Sequence, residues 1–490
     1  MNFETIIGLE VHAQLLTRSK MYCGCATDYA NAPPNTHVCP VCLGMPGVLP
    51  VINRQAVEFT MMTAVALNCT IAEHTKFDRK NYPYPDLMKG YQISQYDAPI
   101  GQHGRLSIEV NGEKREIGIT RVHLEEDVAK LQHRTSPEGE DYSLVDVNRS
   151  GAPLMEIVGE PDLRSPEEAR QYLIKLRSIL QYLGVSTGNM EEGSFRCDAN
   201  ISLLPENSRE FTAKAEVKNM NSFKAVYQAM EYEARRQRKA MADGKRLIQE
   251  TRGWVEDEGK TVSQRSKESA HDYRYFPEPD LPPLIITRDW VKEIQAKLPE
   301  LPEIRRDRFI AEYGLSLYDA SLLTDSKPMA DYEEELIKMG IDAKTASNWL
   351  IGEVSHIMNE NNIEIDNFKE KVTPEQLARI AELNSEGSIN TPTAKSVLLE
   401  VFKSGKSAEE IVKEQGLSQI SDTKELEETI TQVINSNTQP VADYRAGKET
   451  AFKFLVGQVM RATKGRANPQ MVNEVLKQKL AEALNAAGEG

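Results

Sequence analysis

Cysteine is scarce in this chain, six in 490 residues, too few for a disulfide scaffold. No apolar run reaches membrane-spanning length. No basic segment leads into an apolar one near residue 1, so no signal peptide is expected, and the compartment these absences indicate is the cytoplasm. The chain lacks a GxxxxGK loop followed by Ser or Thr, which argues against a Walker-type nucleotide site. Its one GxSxG spacing, Gly184-Val185-Ser186-Thr187-Gly188, follows a helical pattern where a nucleophile elbow needs a strand, and no kinase catalytic-loop pattern occurs. No Gly/Ser-rich segment could seat an amidase serine nucleophile; if the chain uses ammonia from an amide donor, another chain must release it. Internal repeats and low-complexity tracts are missing too. Positive charge is in deficit, with 59 Lys and Arg against 74 Asp and Glu for a net −15, which excludes nonspecific nucleic-acid binding by the whole surface. A local basic patch remains open. Residues 403–440 hold four Lys and seven acids, whereas residues 441–490 hold eight Lys or Arg and five acids. The C-terminal stretch is therefore the natural place for a phosphate-contacting surface, although a swing of this size also arises by chance. With 40% hydrophobic and 27% charged residues, the composition is that of a globular protein, long enough for about three domains.

Chemistry begins at Gly8-Leu9-Glu10-Val11-His12. As a strand this run points Glu10 and His12 to one face. Such a pair holds a metal ion, handles a proton, or is merely a satisfied polar pair at a strand edge. Cys23-Gly24-Cys25 and Cys39-Pro40-Val41-Cys42 follow, separated by thirteen residues. Two close thiol pairs at this spacing form a tetrahedral zinc pattern, and four thiolates leave no open position, so the zinc would be structural. A reduced cluster without metal is the alternative. Cys69 and Cys197 read as ordinary buried thiols. Residues 74–86 form a stiff loop with Phe77, Tyr82, Tyr84, two prolines and adjacent Arg79 and Lys80. It suits a phosphate or a base, or is a surface loop packed by its own tyrosines. Arg121-Val122-His123-Leu124-Glu125-Glu126-Asp127 alternates, placing Arg121, His123, Glu125 and Asp127 on one face, with Glu126 on the other or at a bend. Acids this dense repel unless a cation joins them, and oxygen donors with one imidazole favour Mg²⁺ or Mn²⁺. An exposed, solvated face is the bland alternative.

Residues 143–158 read as two strands joined by a Ser150-Gly151 turn. Ser165 caps a helix to Gly184, with Pro166 in its first turn and Glu168 completing a capping box. A strand near 195–202 shows Arg196, Asp198, Asn200 and Ser202 on one face, and residues 214–219 repeat the pattern with Lys214, Glu216 and Lys218. Strands polar on one face recur through residues 1–220, as in a sheet with one face on a core and the other lining a groove. A helix spans about 222–243. The proline-rich stretch 277–302 marks a boundary, after which alternation gives way to helical patterns opened at Thr373-Pro374, Thr391-Pro392, Ser407 and Asn468-Pro469. Phe452, Leu455, Val456, Val459 and Met460 make one helical stripe, and Val472, Val475, Leu476 and Ala483 another. The expected class is α+β: an N-terminal mixed or antiparallel-sheet cradle over 1–290, an all-helical domain over 291–405, and a helical tail over 406–490.

The motifs Gly8–His12, Pro46-Gly47-Val48-Leu49-Pro50-Val51-Ile52-Asn53, Phe77-Asp78-Arg79-Lys80-Asn81-Tyr82, Gly90-Tyr91-Gln92-Ile93-Ser94-Gln95-Tyr96, His123–Asp127 and Asp146-Val147-Asn148-Arg149-Ser150-Gly151 together resemble the B subunits of the glutamyl/aspartyl-tRNA amidotransferase family. The likeness runs the length of the chain in the same order. It implies a carbon–nitrogen ligase working in one complex beside an amidase chain, the A subunit, and a small third chain, the C subunit. The chain would bind tRNA mischarged with glutamate or aspartate, use ATP and Mg²⁺ to phosphorylate the side-chain carboxylate, and complete amidation with delivered ammonia. The tail would contact tRNA, and because some family members lack the cysteines, the zinc would be structural. Carried onto this sequence, Glu10, His12 and Glu125 take the metal role, with Glu126 and Asp198 as further catalytic candidates. Arg79, Lys80 and Lys218 are the candidates for triphosphate contact. Two competing readings are a non-catalytic zinc-containing tRNA-docking scaffold and a metal-dependent hydrolase using Glu10 and His12. The scaffold has no need for acids beside a histidine, and the hydrolase leaves the basic helical C-terminus unexplained.

Overall fold

The structure, a computed structural model, describes residues 3–206, 210–266, 273–417, 423–445, 447–463, 467 and 469–485. The chain divides into two compact units, Met1–Ile304 and Arg305–Gly490, so the proline-rich stretch belongs to the first unit.

Strand β1 (Phe3–Gln14) sets the pattern of the first. Its β-branched and apolar residues Ile7, Leu9 and Val11, with Ala13, are buried on one face, while Glu10, His12 and Gln14 are half-buried on the other. Short strands β2 (Thr70–Ile71), β3 (His74–Thr75), β4 (Asp78–Asn81) and β5 (Tyr91–Ser94) lead into the long hairpin β6 (Gly101–Val110) and β7 (Glu113–Glu126). A separate hairpin, β8 (Lys130–Thr135) and β9 (Asp141–Asp146), precedes β10 (Pro153–Gly159) and β11 (Phe195–Pro205). Strands β12 (Ala215–Lys218), β13 (Glu250–Val255), β14 (Lys260–Ser266), β15 (Phe276–Pro277) and β16 (Leu284–Ile285) complete the set. Nine of these form the main sheet in the order β14-β13-β12-β11-β1-β10-β7-β6-β2, and β15-β4-β5 form a smaller one. Pairing in the main sheet is antiparallel except between β12 and β13. That parallel join needs a long crossover, supplied by a helix over Phe223–Ala242.

Helices α1 (Arg54–Ala66), α2 (Pro166–Tyr182) and α3 (Phe223–Ala242) pack on the apolar face. Their buried residues join Ile7, Leu9, Val11, Val122, Leu124, Met155 and Ile157 in one core. Ser165 caps α2 by accepting from the Glu168 N–H. Glu168 does not close the expected box, however: its carboxylate accepts from the Arg164 N–H at 2.7 Å and pairs with Arg115, partners that lie outside the local pattern. Nor do residues 143–158 form a hairpin. β9 pairs with β8 whereas β10 joins the main sheet, because a 3-10 turn at Val147–Arg149 and Gly151, at φ +82°, redirect the chain between them.

The second unit is helical. One core gathers residues between Phe309 and Val412, another those between Leu426 and Leu480. Thr373 with Gln376 and Ser407 with Glu410 form true capping boxes. The helix Thr391–Ser404 is capped by Asn390, one residue before the expected Thr391, and ends at Gly405 in the left-handed region. Leu455 and Val459 are buried, with Phe452, Val456 and Met460 packed alongside, and Val472 and Leu476 face the same core. Asn468 and the side chain of Ala483 lie outside the described residues. The fold class is α+β: a mixed sheet, then helices.

Candidate active site and metal centres

Register decides which side chains meet on the polar face of the main sheet. His12 on β1 stands opposite Glu156 on β10 and Arg196 on β11, and Glu156 in turn stands opposite His123 on β7. One row across four strands thus reads Arg196, His12, Glu156, His123, with Glu125 one step further along β7. The Nε2 atoms of His12 and His123 each lie 3.3 Å from Glu156 Oε2, and each lies 3.8 Å from a Glu125 oxygen. The Ser94 hydroxyl donates to Glu125 at 3.2 Å. Glu125, His123 and Glu156 are all buried.

Burial works against the charged form of each of these groups, and its neighbours work for it. Burial lowers the His123 imidazole, yet Glu156 and Glu125 outweigh it and raise the group to about 9. His12 is raised in the same way, against burial, by Glu156, Glu125 and Asp198. Both carboxylates are held below their usual range: burial raises them, His123, Lys80 and His12 more than reverse this at Glu125, and the two histidines do so at Glu156. Lys80, on β4, feels the same acids; burial acts against its ammonium, while Glu125, Tyr275 and Glu156 lift it above the ordinary lysine value.

Ligand atoms of His12, Glu125 and Glu156 fall within 4.8 Å of one another. Two carboxylates, an imidazole and a buried setting with His123 Nδ1 unpartnered form a donor set that suits a hard divalent cation. Glu10 shares the strand face but lies a row away. It accepts from Asn200 Nδ2 at 2.9 Å and lines a cavity of about 410 Å³ with Ser202, Phe211 and Lys214. Asp198, opposite Glu10, is paired with Lys218 at 2.6 Å, and Lys218 also reaches Glu216 at 3.3 Å. Glu126 turns to the other side of β7, where it pairs with Lys89 at 2.6 Å and accepts from the Ile93 N–H. Arg79 alternates away from Lys80 and clamps Glu278 through two bonds of 2.7 Å. The cluster therefore unites His12 and Glu125, with Lys80 beside it, and leaves Glu10, Glu126, Asp198, Arg79 and Lys218 engaged elsewhere. His123 joins it, as alternation with Glu125 along β7 placed it. Glu156 is its unexpected member, and a lone acid in the apolar run Leu154-Met155-Glu156-Ile157 was the available signal.

The four cysteines do converge, with the sulfurs of Cys23, Cys25, Cys39 and Cys42 within 4.8 Å of one another. The Cys39 N–H donates to Cys42 Sγ at 3.2 Å, and Lys20 Nζ lies 3.6 Å from the same sulfur. Lys20 is only 1% exposed. A buried ammonium needs an anionic partner, and a tetrathiolate zinc centre, net negative, is one, so the residues fit a structural zinc. Hydrogen bonding with Cys23 lowers Cys42 to about 4, and the same contact raises Cys23, so the two thiols share one negative charge beside Lys20.

Residues 5–292 match the family described as the GatB/GatE catalytic domain, and residues 331–480 match the GatB domain. The chain belongs to the family of aspartyl/glutamyl-tRNA(Asn/Gln) amidotransferase B subunits. It is 60% identical to the B subunit from Dehalococcoides mccartyi over 98% of this chain and 99% of the relative. It is 56% identical to that of Thermomicrobium roseum, with 99% and 100% covered, and 54% to that of Carboxydothermus hydrogenoformans, with 98% and 99%. As a member of that family it is a component of a tRNA-dependent amidotransferase, and the mixed-sheet unit carries the catalytic-domain match. Among the described residues no helix is long and apolar enough to cross a membrane.

Proposed function

We propose that this B subunit activates the side-chain carboxylate of a mischarged tRNA, Glu-tRNA(Gln) or Asp-tRNA(Asn), by phosphorylation from ATP, and then completes the amide with ammonia from an amidase partner. The observation that carries the reading is the meeting of His12, Glu125 and Glu156, drawn from three strands, with the Lys80 ammonium beside them. A structural or docking surface has no use for two buried carboxylates against two imidazoles, since such groups are costly to desolvate.

A carboxylate is a poor electrophile. One of its oxygens attacks the γ-phosphorus, ADP leaves, and the resulting acyl phosphate is opened by ammonia, releasing inorganic phosphate and leaving the amide. Phosphoryl transfer depends mainly on positioning and charge neutralisation. His12, Glu125 and Glu156 would hold a divalent cation, Mg²⁺ by donor type, and that ion would neutralise triphosphate charge. His123 orients both carboxylates through its contacts with them. Lys80 offers a fixed positive charge at the γ-phosphate. The nucleoside fits the neighbouring cavity, where Glu10 and Asn200 supply polar contacts and Phe211, 58% exposed, a ring face. The Asp198–Lys218 pair sits at that cavity's side of the sheet and sets the charge there. Arg79 and Glu126 act as structural pairs.

The same reading assigns residues 1–290 to a catalytic cradle with its structural zinc, 291–405 to a helical domain, and 406–490 to a tail that contacts tRNA, all working in the cytoplasm with an amidase chain and a small third chain. The test is phosphate release from ATP by the purified complex, with glutamine present, on adding mischarged tRNA. Release that requires the charged tRNA is expected, and the tRNA that triggers it names the substrate. Release equal with uncharged tRNA, or none at all, refutes the reading and leaves a docking scaffold.

A further inference from the structure

Four tyrosines form a continuous ladder at the rim of the cluster. Tyr96 stacks on Tyr275 with centroids 4.2 Å apart and planes 10° apart. Tyr275 meets Tyr273 edge-on at 6.1 Å, and Tyr273 meets Tyr82 edge-on at 5.8 Å. The inner end embraces Lys80, whose ammonium lies 5.1 Å from the Tyr273 ring and 5.9 Å from that of Tyr82. The outer end is open: Tyr96 is 56% exposed. Strand β4 pins the ladder at both ends. The Asn81 N–H donates to the Tyr273 carbonyl at 2.9 Å, and the Tyr96 N–H donates to Asp78 Oδ2 at 3.2 Å. The ladder thus presents the outer face of a half-exposed ring, held on a fixed backbone, in line with a half-buried cation.

We propose that the free face of Tyr96 is a stacking platform for the unpaired terminal base of the charged RNA, so that the ladder leads from that base to Lys80 and the carboxylate pair. This rests on the function proposed above and names the part of the substrate held here. A base at the end of a strand presents a π-face with no pairing partner, and proteins hold such bases on aromatic rings. The ester on its ribose would then carry the amino-acid side chain inward along the tyrosines, toward the end where the cation stands. The function proposed above seats ATP's base in the separate cavity lined by Glu10 and Phe211, so the two nucleosides would not compete.

The experiment uses the whole complex with tRNA whose 3′-terminal adenosine is replaced by 2-aminopurine riboside, a base whose fluorescence is quenched by stacking. Binding to the wild-type complex is expected to quench it, Tyr96→Ala to abolish the quench, and Tyr96→Phe, which keeps the ring, to restore it. In steady state Tyr96→Ala is expected to raise KM for mischarged tRNA by about 5- to 100-fold, the worth of one stacked base, with kcat and the KM for ATP unchanged. An unchanged quench in Tyr96→Ala, or a shift in the KM for ATP in place of that for tRNA, overturns the proposal. Because Tyr96 is exposed, its loss leaves the core intact. Wild-type phosphate release on mischarged tRNA reports on the underlying function separately: if it persists while the quench is insensitive to Tyr96, only the platform has failed.

Discussion

Glu333 offers a stability test worked directly from the structure. It lies within the helix Lys327–Lys338, is fully buried, and neither carboxylate oxygen has a hydrogen-bond partner. Burial, with the negative charges of Asp319 and Asp342 adding to it, raises the group to about 8 from an ordinary value of 4.5. The folded state thus binds this proton more tightly than the unfolded state does. Its contribution is intact below about pH 4.5 and is lost as pH climbs through 8. Linkage over that interval gives a loss of about 3 kcal/mol at pH 7, and about 3 to 4 kcal/mol between pH 5 and pH 8. Glu333→Gln keeps the shape without the titration. The variant is expected to match or fall slightly below wild type at pH 5, where an unpaired amide replaces an unpaired acid, and to exceed it by a few kcal/mol at pH 8. Urea unfolding at both pH values, followed through the buried Trp349 in the same core, measures the difference. Parallel pH profiles for the two proteins would refute the argument.

Three further outcomes are expected. Glu126→Ala strands the Lys89 ammonium, which is half-buried beside it, and should cost about 3 kcal/mol by removing one partner of a buried pair; thermal unfolding measures that loss, and unchanged stability contradicts the structural role. Cys39→Ser should remove bound zinc, read by elemental analysis of the purified chain, and lower the melting temperature, because a closed thiolate site contributes to folding; full zinc content in the variant contradicts the four-sulfur assignment. Lys80→Met should depress ATP-dependent amidation while the partner's glutamine hydrolysis stays at its wild-type rate; equal amidation would show that this cation does not serve the triphosphate.

Much of the scaffold was legible because period-two alternation is a local signal. Ile7, Leu9 and Val11 against Glu10 and His12, or Cys197 and Ala199 against Asp198 and Asn200, declare both the strand and its buried face. The sheet's polar side followed from those patterns alone, as did the helix ends at Ser165, Ser222, Thr373 and Ser407, where cap chemistry lies within four residues. Cross-strand register is a different kind of information. Nothing near His12 says that Glu156, 144 positions away by number, stands opposite it, so alternation along β1 points instead to Glu10, its neighbour on the same strand face, as the partner carboxylate. Adjacent pairs show the limit from the other side. Arg79 and Lys80, like Glu125 and Glu126, sit side by side in the chain, and alternation sends one of each pair to the cluster and the other to a structural ion pair. Glu168 matched a capping box by spacing, yet a distant arginine and a backbone N–H outside the box compete for it.

The most direct test of the central claim is mischarged-tRNA-dependent phosphate release by the complex carrying Glu156→Gln. This substitution keeps the side chain's size and removes the charge that joins His12 and His123. Loss of several kcal/mol of charge stabilisation corresponds to a fall of about 100-fold or more, with glutaminase activity of the partner unchanged, and that is the result expected. Phosphate release at the wild-type rate would contradict the assignment of the reaction to this cluster.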